Sequence, residues 1–397
     1  MADLKIKFCG LELENPFLLA PAPPADNAEM VARGLEMGWA GVVLKTTSVE
    51  SEEVILKYPM MTGYDFEEKK VIGLGNIDLI SERHIDQLEK DVVFLKKRFP
   101  QKMIGVSIMG KKKEDWETLV KRLKAAGVDY IECSFSCPQG TLGAKPGAML
   151  GQDANASRTV ASWVKNAAGK TPVSMKLTSH VADITEIAQA VKEAGSDAVT
   201  AINTVKALMG IDLETFIPRP NVGGKSTYSG YSGPAIKPIA LRCVAEISRK
   251  VGITVSATGG ITTWQDAAEF LLCGARSLQV CTAVMRSGYR IIEDFTDGLK
   301  NYLDEKGIQS VEEIVGKSLP YIVSHDELPR PKIRSRINLE TCEKCDQCYI
   351  ACRDGGHQAI ELDENRLPKV DDEKCVGCGM CYSVCPVFDC IKLVAIE

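Results

Sequence analysis

The sequence predicts an α/β protein: a TIM-type (β/α)8 barrel followed by a small cysteine-rich domain. Three observations carry this. Between Leu18 and about Val284, short apolar runs alternate with amphipathic helical stretches. Around Asp326–Pro331 the pattern breaks into charged and proline-rich residues, Glu327-Leu328-Pro329-Arg330-Pro331, as a linker does. Beyond it, nine of the 15 cysteines crowd between Cys342 and Cys390. The expected division is a barrel domain over 1–325, a linker over 326–334 and a tail domain over 335–397.

The runs that read as strands are, in order, Leu18–Ala20, Gly41–Lys45, Met103–Ile108, Tyr130–Cys133, Val173–Lys176, Ala198–Ile202, Thr254–Ala257 and Leu278–Cys281. Helical patterns lie between them, among them Asp115–Ala126, Ser157–Ala168, Asp183–Ala194 and Ala235–Val251. Gly127 and Gly195 each precede a buried run and suit the turn from a helix back into the next strand. Nearly continuous apolar strands alternating with helices imply a parallel sheet covered on both faces. Eight of them within roughly 250 residues fit a closed barrel; a doubly wound open sheet is the competing architecture. In a barrel, functional residues belong at the strand C-termini and in the loops that follow.

Composition narrows the function. A hydrophobic share of 45% and a charged share of 25% describe a soluble globular chain. A net charge of −5, with no basic stripe, argues against nucleic acid as a partner. The opening Met1-Ala2-Asp3-Leu4-Lys5 lacks the features of a signal peptide. No apolar run reaches the ~18 residues of a membrane span. A cytoplasmic, membrane-free protein is expected, and its crowded CxxC repeats then read as metal ligands rather than disulfides.

The strongest signal is Cys342-x2-Cys345-x2-Cys348-x3-Cys352, repeated as Cys375-x2-Cys378-x2-Cys381-x3-Cys385-Pro386. This is the spacing of bacterial two-cluster ferredoxins, in which the fourth cysteine of each run ligates the other cluster. One [4Fe–4S] cluster is therefore assigned to Cys342, Cys345, Cys348 and Cys385, the other to Cys375, Cys378, Cys381 and Cys352. Zinc would ask for two CxxC pairs instead. The first run ends in Cys352-Arg353 where proline is usual, which removes no ligand. Cys390 fits neither set and reads as a packed, reduced cysteine.

A barrel that receives single electrons needs a cofactor that converts them to two-electron chemistry, and flavin is the usual one. Thr258-Gly259-Gly260-Ile261 ends the seventh strand and Cys281-Thr282-Ala283 the eighth, where backbone N–H groups can hold the phosphate of FMN. Lys45 and Lys176 close the second and fifth strands, where a buried cation suits the negative edge of reduced flavin. Together with Asn15-Pro16-Phe17, Leu44-Lys45-Thr46, Asn76-Ile77, Ser136-Cys137-Pro138, Lys176-Leu177-Thr178, Asn203-Thr204-Val205, Ser232-Gly233 and Leu278-Gln279-Val280-Cys281, these residues resemble the dihydroorotate dehydrogenase-like flavoprotein family. Within it the resemblance is to the dihydropyrimidine dehydrogenase group, and it spans the whole chain, tail included.

The resemblance implies hydride transfer between flavin N5 and one carbon of an activated C=C bond, such as that of uracil or thymine. It makes Cys137 the group that exchanges the proton at the neighbouring carbon. A thiol with a pKa of about 8.5 is protonated enough at neutral pH to act as acid in one direction and base in the other. Implied flavin contacts are Ala20, Lys45, Thr46, Asn76, Lys176, Asn203, Gly233, Gly259, Gly260, Cys281 and Thr282. Implied substrate contacts are Asn76, Asp78, Ser134, Ser136, Asn203 and Thr204. The glycine-rich stretch 140–147 reads as a lid. Three positions depart from the family: Ser134 stands where Asn is usual, Asp78 where Glu is usual and Ile202 where Thr is usual. A serine hydroxyl cannot reproduce the paired donor and acceptor of an amide. Dihydroorotate, or an enone-like activated alkene, is therefore an alternative substrate, and a purely electron-relaying subunit an alternative role. Gly73-Leu74-Gly75 lacks the third glycine and the strand-to-helix context of a dinucleotide site. Electrons are thus expected to pass through the tail to or from a partner, either an FAD- and NAD(P)H-binding subunit or a ferredoxin, in a homodimer or heterotetramer.

Overall fold

Every one of the eight apolar runs forms a strand in the computed structural model, which describes residues 1–49, 54–66, 70–135 and 150–396. The barrel strands are β1 (Phe17–Leu19), β2 (Gly41–Thr47), β3 (Met103–Ile108), β4 (Tyr130–Ser134), β5 (Val173–Leu177), β6 (Ala198–Ala201), β7 (Thr254–Thr258) and β8 (Ala275–Val280). Each pairs in parallel with the next, and β8 pairs with β1 to close the ring. Closure leaves no edge strand to protect. The open-sheet alternative is excluded.

The helices that follow the strands are α1 (Ala28–Glu36), α2 (Ile85–Arg98), α3 (Lys113–Ala126), α4 (Ala154–Ala168), α5 (Ile184–Glu193), α6 (Lys237–Lys250) and α7 (Trp264–Leu272), with α8 (Thr282–Ser287) and α9 (Ile291–Glu305) after β8. Several of their starts are set by side-chain caps. Asn27 accepts from the Met30 N–H at 2.9 Å, Asp153 from Asn155 and Ala156, and Thr263 forms a capping box with Asp266. Gly127 and Gly195 adopt φ of +90° and +92° as the chain leaves α3 and α5. The aspartates two residues on lock the next strand in place. Asp129 takes the Ile104 N–H at 2.9 Å and Lys96 at 2.7 Å, and Asp197 takes the Val173 N–H at 2.8 Å and Lys165 at 2.7 Å.

A hairpin of Ile6–Phe8 with Leu11–Leu13 lies beside the barrel's N-terminal end, where Phe8 packs on Tyr130 with ring centroids 5.3 Å apart. At the opposite end the loops after β2 and β6 build a four-stranded antiparallel sheet, Val205–Ala207, Ser229–Ser232, Lys70–Asn76 and Met61–Phe66 in that order. This sheet is not foreshadowed by any apolar run. Its glycines explain how it assembles: a Cβ at Gly73 would sit 2.4 Å from the Tyr231 ring, and one at Gly75 would sit 2.2 Å from Met209. Those glycines serve close approach of neighbouring groups, as glycine inside a strand often does.

The chain divides into two compact units, Met1–Tyr321 and Ile322–Glu397. In the second, Ile333–Ile337 pairs with Ile391–Ala395 and Ile360–Leu362 with Pro368–Val370, both antiparallel, with helices α10 (Gln347–Gly355) and α11 (Met380–Val384) between them. Cys348, Cys352, Cys375, Cys381 and Cys390 form its small core with Ala359, Ile360 and Ile391. Cys390 is free and 2% exposed, its sulfur 3.5 Å from the Asn338 carbonyl. Among the described residues no helix is long and apolar enough to cross a membrane.

Candidate active site and cluster sites

The interior of this barrel is polar where barrels are usually filled by branched aliphatic side chains. Ser107, Glu132, Ser174, Thr200, Ser256 and Ser277 are fully buried on alternate strand positions, with Gln279 at 1% exposure. Glu132 is at the centre. Its Oε2 accepts from Thr200 Oγ1 at 2.7 Å and from Gln279 Nε2 at 2.6 Å, while its Oε1 lies 3.4 Å from Lys176 Nζ. Gln279 also donates to Ser256 Oγ at 3.2 Å, which takes the Ser277 hydroxyl at 2.8 Å. Neither Glu132 nor this network was among the residues picked out from sequence. The available signal was a glutamate inside the apolar strand Tyr130-Ile131-Glu132-Cys133, since an ionised side chain inside a barrel must find a partner.

Lys45, near the end of β2, has its own carboxylate. Its Nζ is 2.8 Å from Asp78 Oδ2 and 4.0 Å from Asp26 Oδ1. Asp78 reaches it because Asn76 Oδ1 accepts the Asp78 N–H at 2.7 Å and turns the chain at the end of the strand Lys70–Asn76. The Asp78 side chain is 4% exposed. Asp26 is held in turn by the Ser81 hydroxyl at 2.7 Å. Beside Lys45, Thr46 Oγ1 and Ser107 Oγ are 2.8 Å apart.

Most of the remaining residues picked out from sequence gather at the same end of the barrel. Ala20 bridges β1 and β8 through its N–H to Val280 O at 3.0 Å. Ser134 is buried at the end of β4, in register with Lys176. Asn203 donates its N–H to Leu177 O at 2.9 Å and accepts the Thr204 N–H on its side chain at 2.8 Å. Burial pushes the Cys281 thiol up to about 12, with Lys176 and Lys45 pulling down and Asp78 pushing up. Those four groups therefore share one electrostatic neighbourhood. His180, in the loop after β5, accepts the Lys206 N–H on Nε2 at 2.6 Å. Burial, and then the Lys206 charge, hold its pKa below the ordinary value. Ser136 and Cys137, with the stretch 140–147, lie outside the described residues.

The loops after β6, β7 and β8 meet in a glycine-lined corner. Gly233, Gly259 and Gly260 have φ of +93°, +121° and +91°. A Cβ on Gly260 would meet the Lys237 backbone nitrogen at 2.9 Å, and one on Gly233 would meet Gly73 Cα at 3.1 Å. Thr282 opens α8 and its hydroxyl lies 3.0 Å from Ser232 Oγ. Backbone brought this close, beside two buried ammonium groups, is the donor set that suits FMN: amides and a hydroxyl for the phosphate, cations for the ring.

In the tail the two cysteine runs repeat in conformation as well as spacing. The second intervening residue of the first CxxC pair, Lys344 or Gly377, has φ of +55° or +72°. The first intervening residue of the next pair, Asp346 or Gly379, has φ of +62° or +84°. A cleft is lined by Cys352, Cys375, Cys378 and Cys381, with Ala359, Ile360 and Leu393 among its apolar walls. This is the crossed set, in which the fourth cysteine of the first run joins three of the second. Burial raises the Cys348 thiol to about 11, and Cys342, Cys345 and Cys381 add to the rise. A single zinc would hold thiolates about 3.8 Å apart at Zn–S distances near 2.3 Å. No group of three or more His, Cys, Asp or Glu among the described residues is gathered for one ion; a cube binds its four sulfurs at its corners, farther apart.

Comparison with known proteins bears on both units. Residues 3–303 match the dihydroorotate dehydrogenase family and residues 335–393 the 4Fe-4S dicluster domain. The chain is 43% identical to the NAD-dependent dihydropyrimidine dehydrogenase subunit PreA of Escherichia coli K12, over 98% of this chain and 95% of that protein. It is 37% identical to the chloroplastic dihydropyrimidine dehydrogenase (NADP(+)) of Arabidopsis thaliana, over 82% and 79%. The catalytic subunit of dihydroorotate dehydrogenase B (NAD(+)) from Pyrococcus furiosus is also 37% identical, over 79% and 98%. The crystal structure of DHODH from Eimeria tenella in complex with ferulenol superposes with a TM-score of 0.65 at 21% identity, over 79% and 88% of the two chains, and shares the fold.

Proposed function

The chain belongs to the dihydroorotate dehydrogenase family, and from that premise we propose that it interconverts a pyrimidine base, uracil or thymine, and its 5,6-dihydro form. The observation that carries the proposal is the meeting of Lys45, Lys176, Asn203 and the Gly233, Gly259 and Gly260 corner at one mouth of a closed barrel, in a chain with a dicluster tail. Bound FMN supplies hydride exchange at its N5 with one ring carbon of the substrate. Lys45 and Lys176 would orient and neutralise the ring's polar edge, and the glycine corner with Thr282 would hold the phosphate. Asn76, Asn203 and Thr204 present amide and hydroxyl groups to the ring N–H and C=O groups of the base. Cys137 holds the proton that the second ring carbon gains on reduction and loses on oxidation. The tail clusters would supply one-electron transfer to or from a partner that carries the nicotinamide site; the E. coli relative is named as a subunit, which supports such a partner.

Adding dihydrouracil or dihydrothymine to the anaerobic chain with oxidised flavin, and no partner present, tests this. Rapid bleaching that Cys137→Ala abolishes is the expected result. No bleaching with flavin demonstrably bound overturns the pyrimidine reading.

One observation favours a second substrate class. Asp78 is turned onto Lys45 at 2.8 Å, and Ser134 offers a hydroxyl where the family has an amide. A pocket built this way suits the dihydro form of another activated alkene with a carbonyl, such as dihydroorotate, and bleaching by that compound in place of the dihydropyrimidines would establish it.

A further inference from the structure

The tail's internal repeat allows each cluster's surroundings to be compared with the other's, position by position. The strand Ile333–Ile337 precedes the first cysteine run and the strand Pro368–Val370 precedes the second. Ser335 stands seven residues before Cys342, and Pro368 seven before Cys375. These two residues therefore occupy equivalent places, each in the strand leading to its run. Ser335 is 1% exposed and its Oγ lies 3.3 Å from Cys381 Sγ, in the cleft that Cys352, Cys375, Cys378 and Cys381 line. A thiolate bound to iron carries no proton, so in the loaded tail the hydroxyl donates and the sulfur accepts. Pro368 has no hydroxyl to offer the other cluster.

Two more differences point the same way. The Ala359 N–H donates to Cys352 Sγ at 3.3 Å, a second hydrogen bond to a sulfur of the same cluster. At the position where the second run has Gly379, the first has Asp346. The Asp346 Oδ1 is buried with no hydrogen-bond partner, and Oδ2 is paired with Arg366. A carboxylate between Cys345 and Cys348 opposes the negative charge that a cluster gains on reduction, whereas donors to sulfur favour that charge.

We propose that Ser335 is a tuning residue that raises the reduction potential of the cluster held by Cys352, Cys375, Cys378 and Cys381 above that of its neighbour. The two clusters are thereby unequal. An electron entering the tail rests on that cluster, and the one held by Cys342, Cys345, Cys348 and Cys385 is the harder to reduce. Each reduction adds one electron to one cluster and moves no proton, so the step needs only the electron donor that the proposed reaction already supplies. The inference rests on the tail carrying two clusters.

The test is a redox titration of the anaerobic full chain followed by electron paramagnetic resonance, with iron and sulfide measured per chain. The wild type is expected to reduce in two separate one-electron steps. At the midpoint of the upper step, Ser335→Ala is expected to lower the ratio of reduced to oxidised cluster about tenfold, which is a shift of 59 mV for one electron. The lower step stays in place. Ser335→Thr, which keeps the hydroxyl, restores the upper step, and Pro368→Ser raises the lower one. The proposal is overturned by a single unresolved wild-type step, by a Ser335→Ala shift of less than twofold with both clusters present, or by a shift in the lower step instead. If Ser335→Ala fails to retain its iron, Pro368→Ser decides, and an unmoved lower step overturns the proposal. A wild-type chain without two clusters by iron and sulfide analysis overturns the cluster reading as well, which separates that failure from this one.

Discussion

Replacing Glu132 by glutamine keeps the shape of the barrel interior and removes its one fully buried carboxylate charge. Glutamine's carbonyl can still accept from Thr200 and Gln279, but its amide then points two N–H donors at the Lys176 ammonium, which sits 3.4 Å from Oε1 in the native chain. Lys176 is left as a buried cation with a side-chain exposure of only 9%. Removing one member of a buried pair typically costs about 3–5 kcal/mol, because the survivor remains charged and desolvated. The unit that melts runs from Met1 to Tyr321, and at about 2.1 cal/mol/K per residue its unfolding entropy is roughly 0.67 kcal/mol/K. The midpoint should therefore fall by about 4–7 °C. The assay is scanning calorimetry of the full chain stripped of flavin. Removing both charges, as Glu132→Gln with Lys176→Met, should recover most of the loss, because a buried pair exchanged for neutral groups is often close to neutral in stability. A double variant that melts at the sum of the two single losses would falsify the pairing.

Three further outcomes follow from the same geometry. Gly260→Ala places a Cβ 2.9 Å from the Lys237 nitrogen at a φ of +91°; flavin content, read by absorbance after purification, should drop steeply, and a full complement of flavin would contradict the phosphate corner. Gly377→Ala puts a Cβ 2.6 Å from Ile333 Cβ at a φ of +72°, so iron per chain should fall toward half as the neighbouring cluster is lost, and unchanged iron would sink that assignment. His180 has a folded-state pKa below its unfolded value, so its neutral form's contribution to stability is complete above a pH of about 6.5 and is lost as the pH falls further. His180→Asn should flatten the fall of the melting temperature between neutral and mildly acidic pH, and an unchanged slope would assign that fall to other groups.

What the sequence discloses divides along physical lines. A parallel barrel strand is buried on both faces, so each announces itself as a run, and runs such as Gly41–Lys45 and Val173–Lys176 are strands within two residues of where they were placed. The cysteine spacings are equally local. The four-stranded sheet over the barrel mouth is different: Gly73, Gly75 and Gly230 interrupt its strands where an apolar run would announce them, and Asn76 pairs with Gly230 far off in the chain. The same limit applies to the site. Lys45 and Lys176 stand out at strand ends, but their carboxylates come from Asp78 and Glu132, and which acid meets which base is a product of closure. Asp78 was expected at the substrate; the structure also gives it to Lys45.

Those two pairs are not equivalent, and the difference bears on how the site works. A lysine with no partner in so dry a place would cost several kcal/mol, so each cation needs a carboxylate when nothing else is bound. Glu132 has no exposure and is fixed by two further side chains, Thr200 and Gln279, so its pairing with Lys176 is part of the barrel. Asp78 lies on a loop, and among the described residues its second oxygen is held by the neighbouring Leu79 N–H at 3.0 Å. Rotating Asp78 breaks one barrel contact, the one to Lys45, whereas moving Glu132 breaks three. Lys45 therefore has the partner that is more easily exchanged, and under the proposed reaction the negative edge of a bound flavin would compete with Asp78 for it. Under the proposed reaction, position 78 would then couple charge balance at the flavin edge to the choice of substrate.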